Sequence, residues 1–142
     1  MYVCQICKKK PKSHSFEILK EDNDNIIYYS RPSEALFPHD HDGIIEHYKG
    51  VFKSKGSKNW TWIIDGKDFK TYHINVKITM SLSNLLSNYE DTMQKIIIIN
   101  SSKTLQSAVA MAWAFISKNM KEKIRIDNNY KFNANYCSSI SV

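Results

Sequence analysis

The sequence predicts an α/β fold: a mostly parallel sheet of about five strands with three main helices packed on it. Three observations carry this expectation. Short β-prone runs alternate with segments whose apolar residues recur at helical spacing, the pattern of parallel strands joined by right-handed helical crossovers. Ile96-Ile97-Ile98-Ile99 is apolar at both parities, as a central strand buried on both faces must be. The stretch from Leu105 to Ile116 is rich in alanine, the strongest helix former, and gathers its large apolar residues on one broad face.

Taken in order, Phe16–Leu19 and Ile26–Tyr29 are short strands separated by the polar segment KEDNDN, and they can pair as a hairpin. Pro32 and Pro38 bracket an irregular connection. A helix is expected from near Asp42 through GIIEHYKGVFKS, with Ile44, Ile45, Tyr48, Val51 and Phe52 on one side and Lys49 and Lys53 toward its C-terminal end. Trp60–Gly66 reads as a strand, with Trp60, Trp62 and Ile64 on one face and Ile63 on the other. A second helix is expected from near Thr79 to Glu90, striped by Ile78, Leu82, Leu85, Leu86 and Tyr89. The isoleucine strand follows, then a helix from Lys103 to Lys121 and a short strand, Ile124-Arg125-Ile126. The expected organisation is a flexible basic leader over residues 1–15, a single domain over 16–127 and an irregular tail over 128–142.

At 142 residues and 42% hydrophobic, the chain is long enough for one domain with its own core. Its net charge of +6 is spread along the chain, which implies weak, non-specific attraction to anionic membrane and no specific nucleic-acid binding. The start MYVCQICKKKPK lacks the apolar region of a signal peptide, and three cysteines are an odd number. Both favour a soluble cytoplasmic protein with reduced thiols.

Cys4-Gln5-Ile6-Cys7 has the spacing of half a zinc site, but with no second such pair its further ligands would have to be His14 or the distant Cys137, and it reads as unpaired thiols. His39, Asp40, His41, Asp42, Glu46 and His47 form the densest group of ligand-type side chains. The two aspartates serve equally well as cap and first-turn acid of the helix that follows. Asp65-Gly66 ends a strand where α/β sheets place their sites, and reads more simply as a turn. There is no nucleophile elbow and no phosphate-cradling glycine loop. No catalytic residue, metal or cofactor is therefore expected.

From about Asn25 to Asp127 the succession resembles a CRAL-TRIO domain. WTWIIDG, Trp60–Gly66, is similar to that family's apolar strand ending in Asp. Tyr89-Glu90-Asp91 stands where the family has a Tyr-Pro-Glu turn, and IIIIN, Ile96–Asn100, resembles its strand ending in Asn. A long helix containing Ala112–Ile116 follows, and MKEKIRI resembles the lead into the next strand. The proline usual after that Asn is replaced here by Ser101-Ser102, and only a short stretch follows Asp127 where the family usually places a closing helix. The resemblance implies a non-enzymatic module binding a lipid or other small hydrophobic ligand between sheet and helices, with Trp62, Ile64, Ile97 and Ile99 as the strand positions lining it. The alternative is a protein–protein interaction module, self-associating or with another partner, on a reduced fold that no longer encloses lipid.

Overall fold

The computed structural model describes residues 2–129. Cys137 and nearly all of the expected tail lie outside them. Among the described residues five strands form one sheet: β1 (Glu17–Glu21), β2 (Asn25–Ser30), β3 (Asn59–Asp65), β4 (Met93–Ile99) and β5 (Ile124–Ile126). Their spatial order is their order in the chain. β1 pairs antiparallel with β2 as the expected hairpin, and every later pairing is parallel. Each parallel crossover therefore advances in the same direction, and right-handed connections then bring their helices to one face of the sheet.

The helices are α1 (Gln5–Lys9), α2 (His41–Ser54), α3 (Val76–Ser87), α4 (Lys103–Trp113) and α5 (Lys118–Lys121). Ile44, Tyr48 and Phe52 of α2, Ile78, Leu85 and Leu86 of α3 and Leu105 of α4 share one core with Ile26, Tyr28, Trp60, Trp62, Ile96 and Ile98. On the opposite face Leu19, Tyr29, Ile63, Ile97 and Ile99 form a second, smaller cluster. The isoleucine run is thus buried on both faces, as its pattern requires. Among the described residues no helix is long and apolar enough to cross a membrane.

Local chemistry moves several boundaries. Asp40, not Asp42, caps α2, its carboxylate accepting from the Gly43 N–H at 3.2 Å. Asn75 accepts from the Ile78 N–H at 3.1 Å and starts α3 ahead of the expected Thr79. The expected helix from Lys103 to Lys121 is two helices. Ser117 adopts an extended conformation, caps α5 through the Met120 N–H and donates its hydroxyl to Glu90 at 2.6 Å. A serine that accepts from the backbone in this way competes with continuation of a helix.

The described part of the basic N-terminal segment docks on the domain. Ser13, His14 and Ser15 are buried, and the N–H groups of Leu36 and Phe37 donate to the carbonyls of Lys12 and Ser13. Phe16 then enters the core, stacked on Tyr48 with ring centroids 3.8 Å apart.

Candidate functional site

Between the helix-bearing face of the sheet and helices α3 and α4 lies a cavity of about 230 Å³. Its floor includes Trp62 and Ile64 of β3 with Ile96 and Ile98 of β4, and α4 supplies Ala108, Val109 and Ala112. The parallel register explains the floor: Trp62 pairs with Ile96 and Ile64 with Ile98, so these four side chains share a face. Of the four positions expected from the sequence, Trp62 and Ile64 line the cavity. Ile97 and Ile99 do not; they lie in the cluster on the opposite face, and their neighbours Ile96 and Ile98 take their place. A run of identical residues offers no parity signal, so only the pairing of β3 with β4 decides which isoleucines face the cavity.

The apolar side of α4 is turned onto this space and is not packed shut. Only Leu105 of α4 is buried, whereas Ala108, Val109 and Ala112 are half-buried, as is Ile116 beyond its end. The wall also carries a short polar edge. The Trp62 indole N–H donates to Ser30 Oγ at 2.7 Å, and Ser30 Oγ lies 3.5 Å from the Tyr48 hydroxyl. Burial pushes the Tyr48 phenol well above its ordinary pKa, so it stays a neutral hydroxyl at any physiological pH.

Asp65, the other strand-end candidate, is occupied by structural work on the far face. Its Oδ2 accepts from the Tyr29 hydroxyl at 2.6 Å and from Arg31 Nε and Nη2 at 3.0 and 2.8 Å. Its Oδ1 accepts from the Lys67 N–H at 3.0 Å and from Asn100 Nδ2 at 2.9 Å. Burial alone would raise the carboxyl pKa, but these bonds together hold it below the usual range. Asn100 has a φ of 50°, a conformation Asn tolerates better than most residues. At Gly66 a Cβ would lie 2.7 Å from the Asn100 carbonyl and collide with Leu105. The Asp and Asn that end β3 and follow β4 are therefore one bonded corner.

The histidine-rich stretch is dispersed by the fold. His39 Nε2 lies 2.7 Å from the Tyr72 carbonyl, and His41 bridges Asp42 and Ser81. His47 instead lies on the buried side of α2 beside Cys4, Cys7 and His14, with one ligand atom of each within 4.8 Å of the others. Burial, with His14 close by, pushes the His47 imidazole down to about 4.

The family model of the CRAL/TRIO domain matches residues 21–141. This chain belongs to the CRAL/TRIO domain family. The family is one of lipid-binding modules, and the WTWIIDG and IIIIN stretches that carry the resemblance are the neighbouring parallel strands β3 and β4 of this chain. No curated protein matches the chain by sequence. Among solved structures, this CRAL/TRIO chain is similar to the crystal structure of Sfh5, with a TM-score of 0.62 at 10% identity. The likeness covers 83% of this chain and 50% of that one, so the chain spans half the length of Sfh5, and it is a likeness of fold. Where the family's Tyr-Pro-Glu turn is expected, Glu90–Thr92 makes a 3-10 turn, and the Tyr89 carbonyl accepts the Trp60 indole N–H at 2.9 Å.

Proposed function

We propose that this chain is a non-enzymatic binding module whose cavity takes up a small hydrophobic molecule or a segment of an acyl chain. The half-buried apolar side of α4, facing Trp62, Ile64, Ile96 and Ile98 across open space, carries this reading. At about 230 Å³ the space exceeds the ~150 Å³ that accepts benzene in an engineered apolar cavity, and it falls short of the ~300–1,000 Å³ of sites that enclose drug-sized ligands. A ring or short chain fits as it stands. A whole lipid requires α4 to move outward, and a helix with one buried residue resists that weakly.

The test is native mass spectrometry of the purified chain together with titration by a fluorescent fatty acid. Wild type is expected to carry or take up apolar ligand, and Ala112→Trp, which fills the cavity from α4, is expected to weaken uptake by roughly tenfold or more while the chain stays folded. Equal uptake by both proteins, or none by wild type, overturns the reading.

The end of α4 supports a second reading. Trp113 is 37% exposed and Phe115 38% exposed, which suits an interface with another protein or a second copy of the chain. Light scattering that returns a monomer at all concentrations removes the self-associating form of that reading.

A further inference from the structure

The Cys4-x-x-Cys7 pair lies at the start of α1, which carries Cys7 close to Cys4 in space. The chain then turns back at Lys12, with a φ of 65°, and brings His14 to both sulfurs. His14 Nδ1 lies 3.6 Å from Cys4 Sγ and 3.6 Å from Cys7 Sγ. From α2, His47 Nδ1 lies 3.5 Å from Cys7 Sγ and 3.2 Å from His14 Nδ1. A zinc ion bound tetrahedrally at about 2.3 Å from sulfur and about 2.0–2.1 Å from nitrogen sets sulfur–nitrogen edges of about 3.5 Å and a nitrogen–nitrogen edge of about 3.3–3.4 Å. The four measured separations match these edges.

The surroundings orient the ligands as well. His14 Nε2 lies 3.0 Å from Asp40 Oδ2, so that ring places its proton on the carboxylate side and presents a bare Nδ1 to the sulfurs. Without an ion, the two thiol protons can serve only two of the four short lines in the cluster. One central cation satisfies all of them.

Helix α2 is cut to receive this segment. Gly43, His47 and Gly50 are spaced four and three residues apart and so share a face. A Cβ at Gly43 would lie 2.9 Å from His14 Nε2 and collide with the Asp40 carboxylate, and one at Gly50 would collide with the Tyr2 ring. Glycine is a poorer helix former than alanine, and here it opens the seat on which the N-terminal segment rests.

We propose that Cys4, Cys7, His14 and His47 bind one zinc ion in a closed tetrahedral site that fastens the N-terminal segment to α2. Two thiolates balance the charge of the ion, and the thiolate–imidazole set favours zinc over the hard cations. Four protein ligands leave no open position, so the ion is structural.

The experiment uses the full chain purified under reducing conditions without added chelator. Elemental analysis is expected to find about one zinc per chain, retained in Cys137→Ser and lost in Cys4→Ser and in His47→Ala. Because either loss variant can fail to fold, cobalt replacement of wild type supplies a second reading. Tetrahedral cobalt with two thiolates gives intense visible absorption and sulfur-to-metal charge transfer. Chelation is further expected to loosen the segment and so speed tryptic cleavage at Lys8 and Lys9, which are already exposed. The proposal is overturned by substoichiometric zinc after reconstitution, by an octahedral cobalt spectrum, by zinc lost in Cys137→Ser alone, or by a Cys4–Cys7 disulfide in the protein as isolated under reducing conditions.

Discussion

Replacing Asp65 by Asn tests whether the strand-end carboxylate holds the fold or does chemistry. All five groups around it are donors: the Tyr29 hydroxyl and two Arg31 nitrogens at Oδ2, the Lys67 N–H and Asn100 Nδ2 at Oδ1. Asparagine keeps the shape but turns one oxygen into an NH₂ donor. In either orientation at least two donors lose their acceptor, and Arg31 loses its buried counter-charge. Hydrogen bonds to a charged group are worth about 1.5–3 kcal/mol each, and breaking one partner of a buried ion pair costs about 3–5 kcal/mol. Asp65 is 2% exposed, but the Arg31 side chain is 25% exposed and recovers part of its hydration, so the lower end applies. The expected loss is about 3–4 kcal/mol, or a fall in Tm of roughly 10 °C for a domain of this size. Urea unfolding of wild type and Asp65→Asn measures it, and a loss under about 1 kcal/mol refutes the reasoning.

The same substitution has a pH signature. The Asp65 carboxyl sits below its ordinary value of about 3.9 in the folded chain. Its contribution is then complete above that value and disappears as pH falls through the lowered folded pKa. The stability gap between wild type and Asp65→Asn is therefore expected to close on acidification below about pH 4. A gap unchanged at acid pH contradicts the assignment. Uptake of apolar ligand should persist in the folded variant, because Asp65 lies on the face of the sheet opposite the cavity.

Four further substitutions probe separate features. Tyr28 is fully buried and its hydroxyl has no hydrogen-bond partner among the described residues, so Tyr28→Phe is expected to leave the urea midpoint unchanged or raise it, by up to about 1 kcal/mol of stability. A clear fall in midpoint would mean that the hydroxyl is satisfied in solution. Ile98→Ala and Ile99→Ala should each cost about 2–4 kcal/mol by urea unfolding, yet only the first should alter fluorescent fatty-acid affinity, since Ile98 alone borders the cavity. Lys55 is buried with its ammonium donating to the carbonyls of Gly56 and Lys58 and to Thr92 Oγ1. Lys55→Met strands those acceptors, and thermal unfolding should report a loss of about 1–3 kcal/mol.

The sheet was legible because its signals are local: alternation of strand and helix, the apolar isoleucine run, and the WTWIIDG and IIIIN strands. Boundaries were legible only where a cap was unambiguous. Ser117 lies inside a stretch with good helical periodicity, and its partner Glu90 is far away in sequence, so the break between α4 and α5 cannot be seen from local spacing. The cavity floor was half legible. Trp62 and Ile64 follow from strand parity, but choosing among consecutive isoleucines needs the register with β3. The cysteine pair was visible without its full ligand set, because the fourth ligand is contributed forty residues after Cys7 by a buried position of α2. One local signal did exist: Gly43 and Gly50 flank His47 on one helical face, where good helix formers would otherwise be expected.

Helix α2 joins the two sites. Its Tyr48 belongs to the polar edge of the cavity, while the adjacent His47 points to the cysteines. His14 belongs to both places at once, as a ligand of the cysteine–histidine cluster and as a residue of the cavity wall, and Ser15 lines the wall beside it. A metal-fastened N-terminal segment would therefore act as the rigid end of the cavity, with the lightly packed α4 as its yielding side. The two ends of the cavity then divide the work a binding module needs: an end that keeps its shape and a wall that admits the ligand. On this view chelation and Ala112→Trp affect ligand uptake through different walls. Chelation loosens a fixed boundary and broadens what is admitted, whereas the tryptophan closes the space. Fatty acids of increasing length separate the two effects, because only chelation should shift the preferred length upward.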